Sequence, residues 1–161
     1  MKAKRMKAMV VYYSRTGNTR KIGQEIAKEL DADVEEIVEK RSREGFLGYL
    51  RSGKEALTRK LVEIMPLDTD LSAYDLVVIG TPVWGFAVSS PVRTYMTDNR
   101  NRLRQSKLAF FCTMGGSGDK KTFSQMQEIA GREPVAVLSV KAAEIGSCSP
   151  RIKAFVKKLT S

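Results

Sequence analysis

A chain of 161 residues, 42% hydrophobic and 29% charged, has the length and composition of one globular domain with a sizeable core, so a single domain over 1–161 is expected. It has no histidine, which removes most catalytic triads, zinc sites and imidazole acid–base schemes together. The net charge of +10 suggests an acidic partner, and no basic stretch is interleaved with stacking aromatics, which argues against nucleic acid. Cys112 and Cys148 lie far apart without metal-ligand spacing. Apolar runs all fall well short of the roughly 20 residues that span a bilayer, and the basic start runs into a strand pattern rather than a signal core. A cytoplasmic protein is expected.

In chain order, Met9–Tyr13 is an apolar, β-branched and aromatic run that predicts a buried strand. Ser14-Arg15-Thr16-Gly17-Asn18-Thr19 follows, and then Ile22, Ile26 and Leu30 at helical spacing, with Ala27 on the same face. A strand emptying through a hydroxyl-rich turn into a helix start suits an anion, because the first helical amides lack intrahelical partners and the dipole is positive there. The alternative is a loop whose hydroxyl merely caps the helix, but a cap needs one hydroxyl and this turn has three around a glycine.

Val34–Val38 predicts a short strand towards one edge of the sheet. Segment 45–58, with Phe46, Leu47, Tyr49, Leu50 and Leu57, predicts a helical insertion or elaborated loop. It is either a solvated amphipathic helix or a cover over a site or partner surface, and a homodimer rather than a monomer could form through it. Asp75–Gly80 predicts a central parallel strand that empties into a loop, Thr81-Pro82-Val83-Trp84-Gly85-Phe86, holding the only tryptophan. Ser90-Pro91 opens a helix to about Asn99, with serine as cap. Leu108–Cys112 predicts a buried strand that ends in Thr113-Met114-Gly115-Gly116-Ser117-Gly118. A helix over 120–130 with Phe123, Met126, Ile129 and Ala130 inward, a strand over 135–140 and a terminal helix from Ser149-Pro150 complete the chain. Cys112 is expected to be buried; Cys148 lies in a loop, buried or exposed.

Strands alternating with helices predict an α/β domain with a parallel sheet covered on both faces, and ligands bind such sheets beyond the carboxyl ends of the strands. Several phosphate sites are excluded by residue. The nucleoside-triphosphate loop and the G-x-G-x-x-G fingerprint are both missing after the first strand. A tyrosine-phosphatase arginine six positions after Cys112 is replaced by Gly118, and the aspartate of a receiver domain by Ser14. A small phosphate monoester bearing a flat group between two loops remains.

Ser14-x-Thr16-Gly17-x-Thr19 resembles the flavin mononucleotide (FMN) phosphate loop of the flavodoxin family. Gly80–Gly85 resembles its first flavin-flanking loop and Thr113–Gly118 its second, so the resemblance spans nearly the whole chain. It implies a flavodoxin-like, doubly wound, five-stranded parallel sheet of order 2-1-3-4-5 in an α/β/α sandwich, with bound FMN and electron transfer. Ser14, Arg15, Thr16, Gly17, Asn18 and Thr19 would hold the phosphate, with Arg15 either adding charge or pointing to solvent. Thr81, Pro82, Val83, Trp84, Gly85 and Phe86 would flank one side of the ring, Trp84 stacking on it unless it belongs to the core. Thr113, Met114, Gly115, Gly116 and Gly118 would approach the other side. Many family members are acidic around the flavin and stack a tyrosine there; this chain is basic and its second loop has no aromatic, which would leave one flavin face open to a nicotinamide or a quinone. The expected role is electron carriage to or from an acidic redox protein, with an NAD(P)H-dependent flavin or quinone reductase as the alternative. No side chain is expected to act as acid or base. The basic charge is expected to raise the flavin's midpoint potential.

Overall fold

A computed structural model describes residues 5–40, 50–52, 61–67 and 69–161. The parallel strands are β1 (Ala8–Tyr12), β2 (Asp33–Glu36), β3 (Leu76–Trp84), β5 (Lys107–Met114) and β6 (Ala136–Lys141). They lie in the order β2-β1-β3-β5-β6, and the two-residue β4 (Ala87–Val88) pairs antiparallel with the end of β3. Counting the parallel strands alone, the order is the expected 2-1-3-4-5. The helices are α1 (Asn18–Leu30), α2 (Ser90–Asp98), α3 (Arg100–Leu103), α4 (Asp119–Ala130) and α5 (Ser149–Thr160).

β1, the first part of β3, and β5 after Lys107 are buried without interruption, because helices cover both faces. On one face Val10, Tyr12, Val78 and Phe111 pack under Ile22 and Ile26 of α1 and Ile152 and Phe155 of α5. On the other, Val11, Ile79 and Phe110 meet Val92 and Met96 of α2, Leu103 of α3 and Met126 of α4. β2 sits at the edge as expected, and its exposed Asp33 and Val34 reflect that place. None of the helices among the described residues is long and apolar enough to cross a membrane.

The structure corrects three local expectations. Thr81–Trp84 is not loop but the continuation of β3, held extended by the Val83–Val88 and Trp84–Ala87 pairs. The helix over 90–99 has Ser89, not Ser90, at its N-cap position, with no side-chain cap bond, and breaks at Asn99 before the short α3. The buried stripe of α4 is Thr122, Gln125, Met126 and Ala130, with Phe123 and Ile129 only half-buried. Cys148, for which the sequence allowed either state, is buried. Of the 45–58 insertion only residues 50–52 are described, and they are helical; the rest lies outside the described residues. The chain on either side of it is joined by an antiparallel bridge between Glu39 and Ile64.

Gly80, beside Phe111 on β5, has no room for a side chain: a Cβ there would sit 2.0 Å from the Phe111 ring. Gly80→Ala should therefore cost about 2 kcal/mol or more through overpacking, read as a lower urea midpoint with an unchanged slope. Burial, reinforced by Asp119, pushes the Cys112 thiol up from 9.0 to about 12. The unfolded chain ionises this thiol first, so its contribution to stability is complete below pH 9 and is lost between pH 9 and 12. Urea midpoints measured from pH 8 to 11 should fall, and a Cys112→Ala variant should show a shallower fall.

Candidate functional site

The carboxyl ends of β1, β3 and β5 are neighbours in the sheet, so the three chain exits predicted from sequence open on one rim. After β1 the chain turns at Gly17, whose φ of 100° lies in the left-handed region that a side chain would strain. Gly17 is the N-cap of α1 and offers no side chain to the first helical amides. Its own N–H donates to Ser14 Oγ at 3.0 Å, which closes the turn and leaves the Ser14 hydroxyl proton to point elsewhere. Ser14, Arg15 and Asn18 are half-buried around this turn, and Thr16 is exposed.

Thr19 differs from its neighbours. It is buried, and its hydroxyl lies 2.8 Å from that of Thr113, the last but one residue of β5. This bond ties the first chain exit to the third. Both hydroxyls are predicted site residues, and the structure brings them together beneath the rim.

The second exit is a hairpin. Gly85 and Phe86, the two residues between paired Trp84 and Ala87, both have positive φ (56° and 61°), as a type I′ turn requires. Phe86 thus carries an aromatic ring in a strained backbone conformation and is 57% exposed. Trp84 meets Tyr13 edge-on, ring centroids 5.5 Å apart at 89°, and packs partly against the core. At the hairpin base, the Thr81 hydroxyl accepts the Ser89 N–H at 3.1 Å and lies 2.9 Å from Ser89 Oγ. Thr81 is fully buried, so its side chain faces inward.

The third exit ends at Gly118, the left-handed N-cap of α4 (φ 104°), again without a side-chain cap. A Cβ there would sit 2.8 Å from Val83 Cγ1 and 3.1 Å from Phe86 Cα, so the second loop and the hairpin touch at this residue. Gly115 and Gly116 differ: nothing lies within 4 Å of where a side chain would project. Thr113 and Met114 are buried behind them.

Two helix starts with uncapped amides and a left-handed glycine before each therefore flank a half-buried aromatic hairpin. That arrangement can hold an anion and a flat apolar group together. Close to it, Arg20 pairs with Glu36 at 2.7 Å, a bond that raises the Arg20 guanidinium above its usual value. Tyr13 donates its hydroxyl to Glu39 at 2.8 Å, which sets Glu39 beside the ring that Trp84 meets. Tyr13, Ser89 and Gln125 were not singled out in the sequence. Tyr13 was readable as the aromatic that ends the first strand; Ser89 and Gln125 carry no local signal, because their partners are distant in the chain.

Comparison with known proteins agrees with this geometry. The flavodoxin domain family model matches residues 50–157, a span that includes the hairpin and the second loop. Among curated proteins none matches. A flavoprotein from Lactobacillus acidophilus NCFM, crystallised in complex with FMN, is 25% identical with a TM-score of 0.73, covering 88% of this chain and 97% of its own. A protein from Bacteroides uniformis ATCC 8492 is 20% identical with a TM-score of 0.80 over 96% of this chain and 99% of its own. The two-electron reduced flavodoxin of Megasphaera elsdenii is 23% identical with a TM-score of 0.56 over 94% of this chain and 99% of its own. With more than half its length matched by the family model, the chain belongs to the flavodoxin family.

Proposed function

We propose that this chain binds FMN at the rim formed by the ends of β1, β3 and β5 and carries electrons to or from an acidic protein partner. The observation that supports this most is the pair of uncapped helix starts, at Gly17 and Gly118, facing one aromatic hairpin. The L. acidophilus relative in complex with FMN adds to it.

The donor set fits the cofactor. The amides of Asn18 to Arg20 begin α1 without a side-chain cap, and the Ser14 and Thr16 hydroxyls stand beside them to donate to phosphate oxygens. Arg15 and Asn18 line the same turn. Pro82, Val83, Trp84, Gly85 and Phe86 form an apolar wall on one side, and the backbone of Gly115 and Gly116 is open to close approach on the other. FMN, when bound, supplies the redox chemistry, and the protein supplies position and access. Thr19, Thr113 and Thr81 act beneath the ligand: the Thr19–Thr113 bond fixes the first exit to the third, and Thr81 holds the base of the hairpin through Ser89. One-electron transfer needs no acid or base from the protein, which accords with a chain without histidine.

A second reading, an NAD(P)H-dependent flavin or quinone reductase, draws on the open space over Gly115 and Gly116, where a second planar molecule has access. The test is a visible spectrum after adding FMN and removing the excess, followed by NADPH or NADH under argon. Retained flavin bands that persist with nicotinamide and bleach with dithionite support the carrier, and prompt bleaching by nicotinamide supports the reductase. A colourless protein overturns both. Ser14→Ala should weaken FMN binding about tenfold or more, the effect of one hydrogen bond to a charged group.

A further inference from the structure

We propose that Gln125 and Arg93 form a buried clamp that positions the β3–β4 hairpin for the cofactor. The proposal rests on the FMN reading above. Gln125 Oε1 accepts the Val88 N–H at 3.2 Å and the Arg93 Nη2–H at 3.1 Å, and both side chains are only 7% exposed. Because both partners are donors, the amide oxygen must face them, and Arg93 fixes the Gln125 side chain as well as touching it.

The hairpin needs such an anchor. β4 has two residues and pairs only with β3 among the described residues, and a short two-stranded ribbon is marginal alone. Gln125 stands where the carbonyl of a third strand would be. An aliphatic residue there would pack equally well but would leave the buried Val88 N–H without an acceptor.

The clamp also spans both sides of the cofactor site. Gln125 lies on α4, whose N-cap Gly118 ends the second loop and packs against Val83 and Phe86. One rigid helix thus holds the hairpin at its tip and at its return strand. The separation between the two flanking loops is thereby set by α4. Sequence reading overlooks this because a glutamine on an amphipathic helix reads as surface.

A cavity of about 220 Å³ lined by Arg93, Thr97, Arg100, Gln125, Glu128 and Ile129 reaches the clamp, so Gln125→Ala would admit a water that could replace the lost acceptor. Gln125→Leu fills the space instead, and Gln125→Glu keeps the acceptor. The apoproteins are compared by amide hydrogen exchange and by emission of Trp84, the only tryptophan. FMN affinity is then titrated, and urea midpoints report global stability.

In Gln125→Leu, Val88 exchange should rise about tenfold while Val10 and Val78 keep their rates, Trp84 emission should shift, and the FMN Kd should rise about tenfold. Gln125→Glu should restore the affinity to within about threefold. Wild-type affinity in Gln125→Leu overturns the clamp. So does a loss common to both variants that follows the urea midpoint, with Val10 and Val88 exchanging faster together, because that is a purely structural role. A wild-type chain that takes up no FMN overturns the functional reading and the positioning role with it, whereas an unchanged Kd overturns the clamp alone.

Discussion

One row of residues across the sheet determines where the candidate site can be. Tyr12 pairs with Gly80, Gly80 with Phe111, and Phe111 with Leu138, so four parallel strands are locked in register at one level. Side chains in such a row point to the same face, and the Phe111 ring occupies the space that a side chain on Gly80 would need. Tyr12 does the same one layer up: its ring lies where a Cβ on Gly23 of α1 would stand, which draws the helix onto the sheet. Slipping any strand by one residue would turn its apolar residues over and move its exit off the rim. The convergence of three chain exits follows from this register.

Given that register, the rim is built more from backbone than from side chains. Two of the hydroxyls that make these loops look like ligand sites are spent within the protein, Thr19 on Thr113 and Thr81 on Ser89, whereas Ser14 only accepts from the Gly17 amide and keeps its proton for a ligand. What is left to face a ligand is the Ser14 and Thr16 hydroxyls and, above all, a set of amides at two helix starts, made available by glycines that lack a capping side chain. A site of this kind is preorganised. Its donors are held by helices and need not be ordered on binding, which lowers the entropic cost of taking up a ligand.

The buried strands were legible because an apolar run between turn signals has few other readings, and their order was legible only through the family resemblance. The extension of β3 was not, since Pro82 and Gly85 read as loop and nothing local shows that Ala87 and Val88 return to pair with it. The buried stripe of α4 was misplaced by a short rotation because Phe123 outweighs Gln125 on any hydrophobicity scale. Gln125 is inside for a reason that no helical period contains: a backbone amide on β4 needs it. The site's glycines and hydroxyls were visible as a pattern, but the division between those that face a ligand and those that brace the loops depends on contacts far apart in the chain, such as residues 19 and 113.

The same geometry bears on the basic charge. The run at 100–107 precedes β5, at the end of the sheet away from Met114, roughly 23 Å off by the rise of seven strand residues. That is several times the screening length of about 8 Å at physiological salt. At the rim, Glu36 is paired with Arg20 and Glu39 accepts from Tyr13, while Asp119 opens α4 beside Lys120 and Lys121. The described charges around the candidate site are therefore of both signs, with Arg15 of the first turn among them, and two helix starts add positive potential. Under the proposed role, the excess of arginine and lysine would act at longer range, on the encounter with an acidic partner, where summed charge counts more than local geometry.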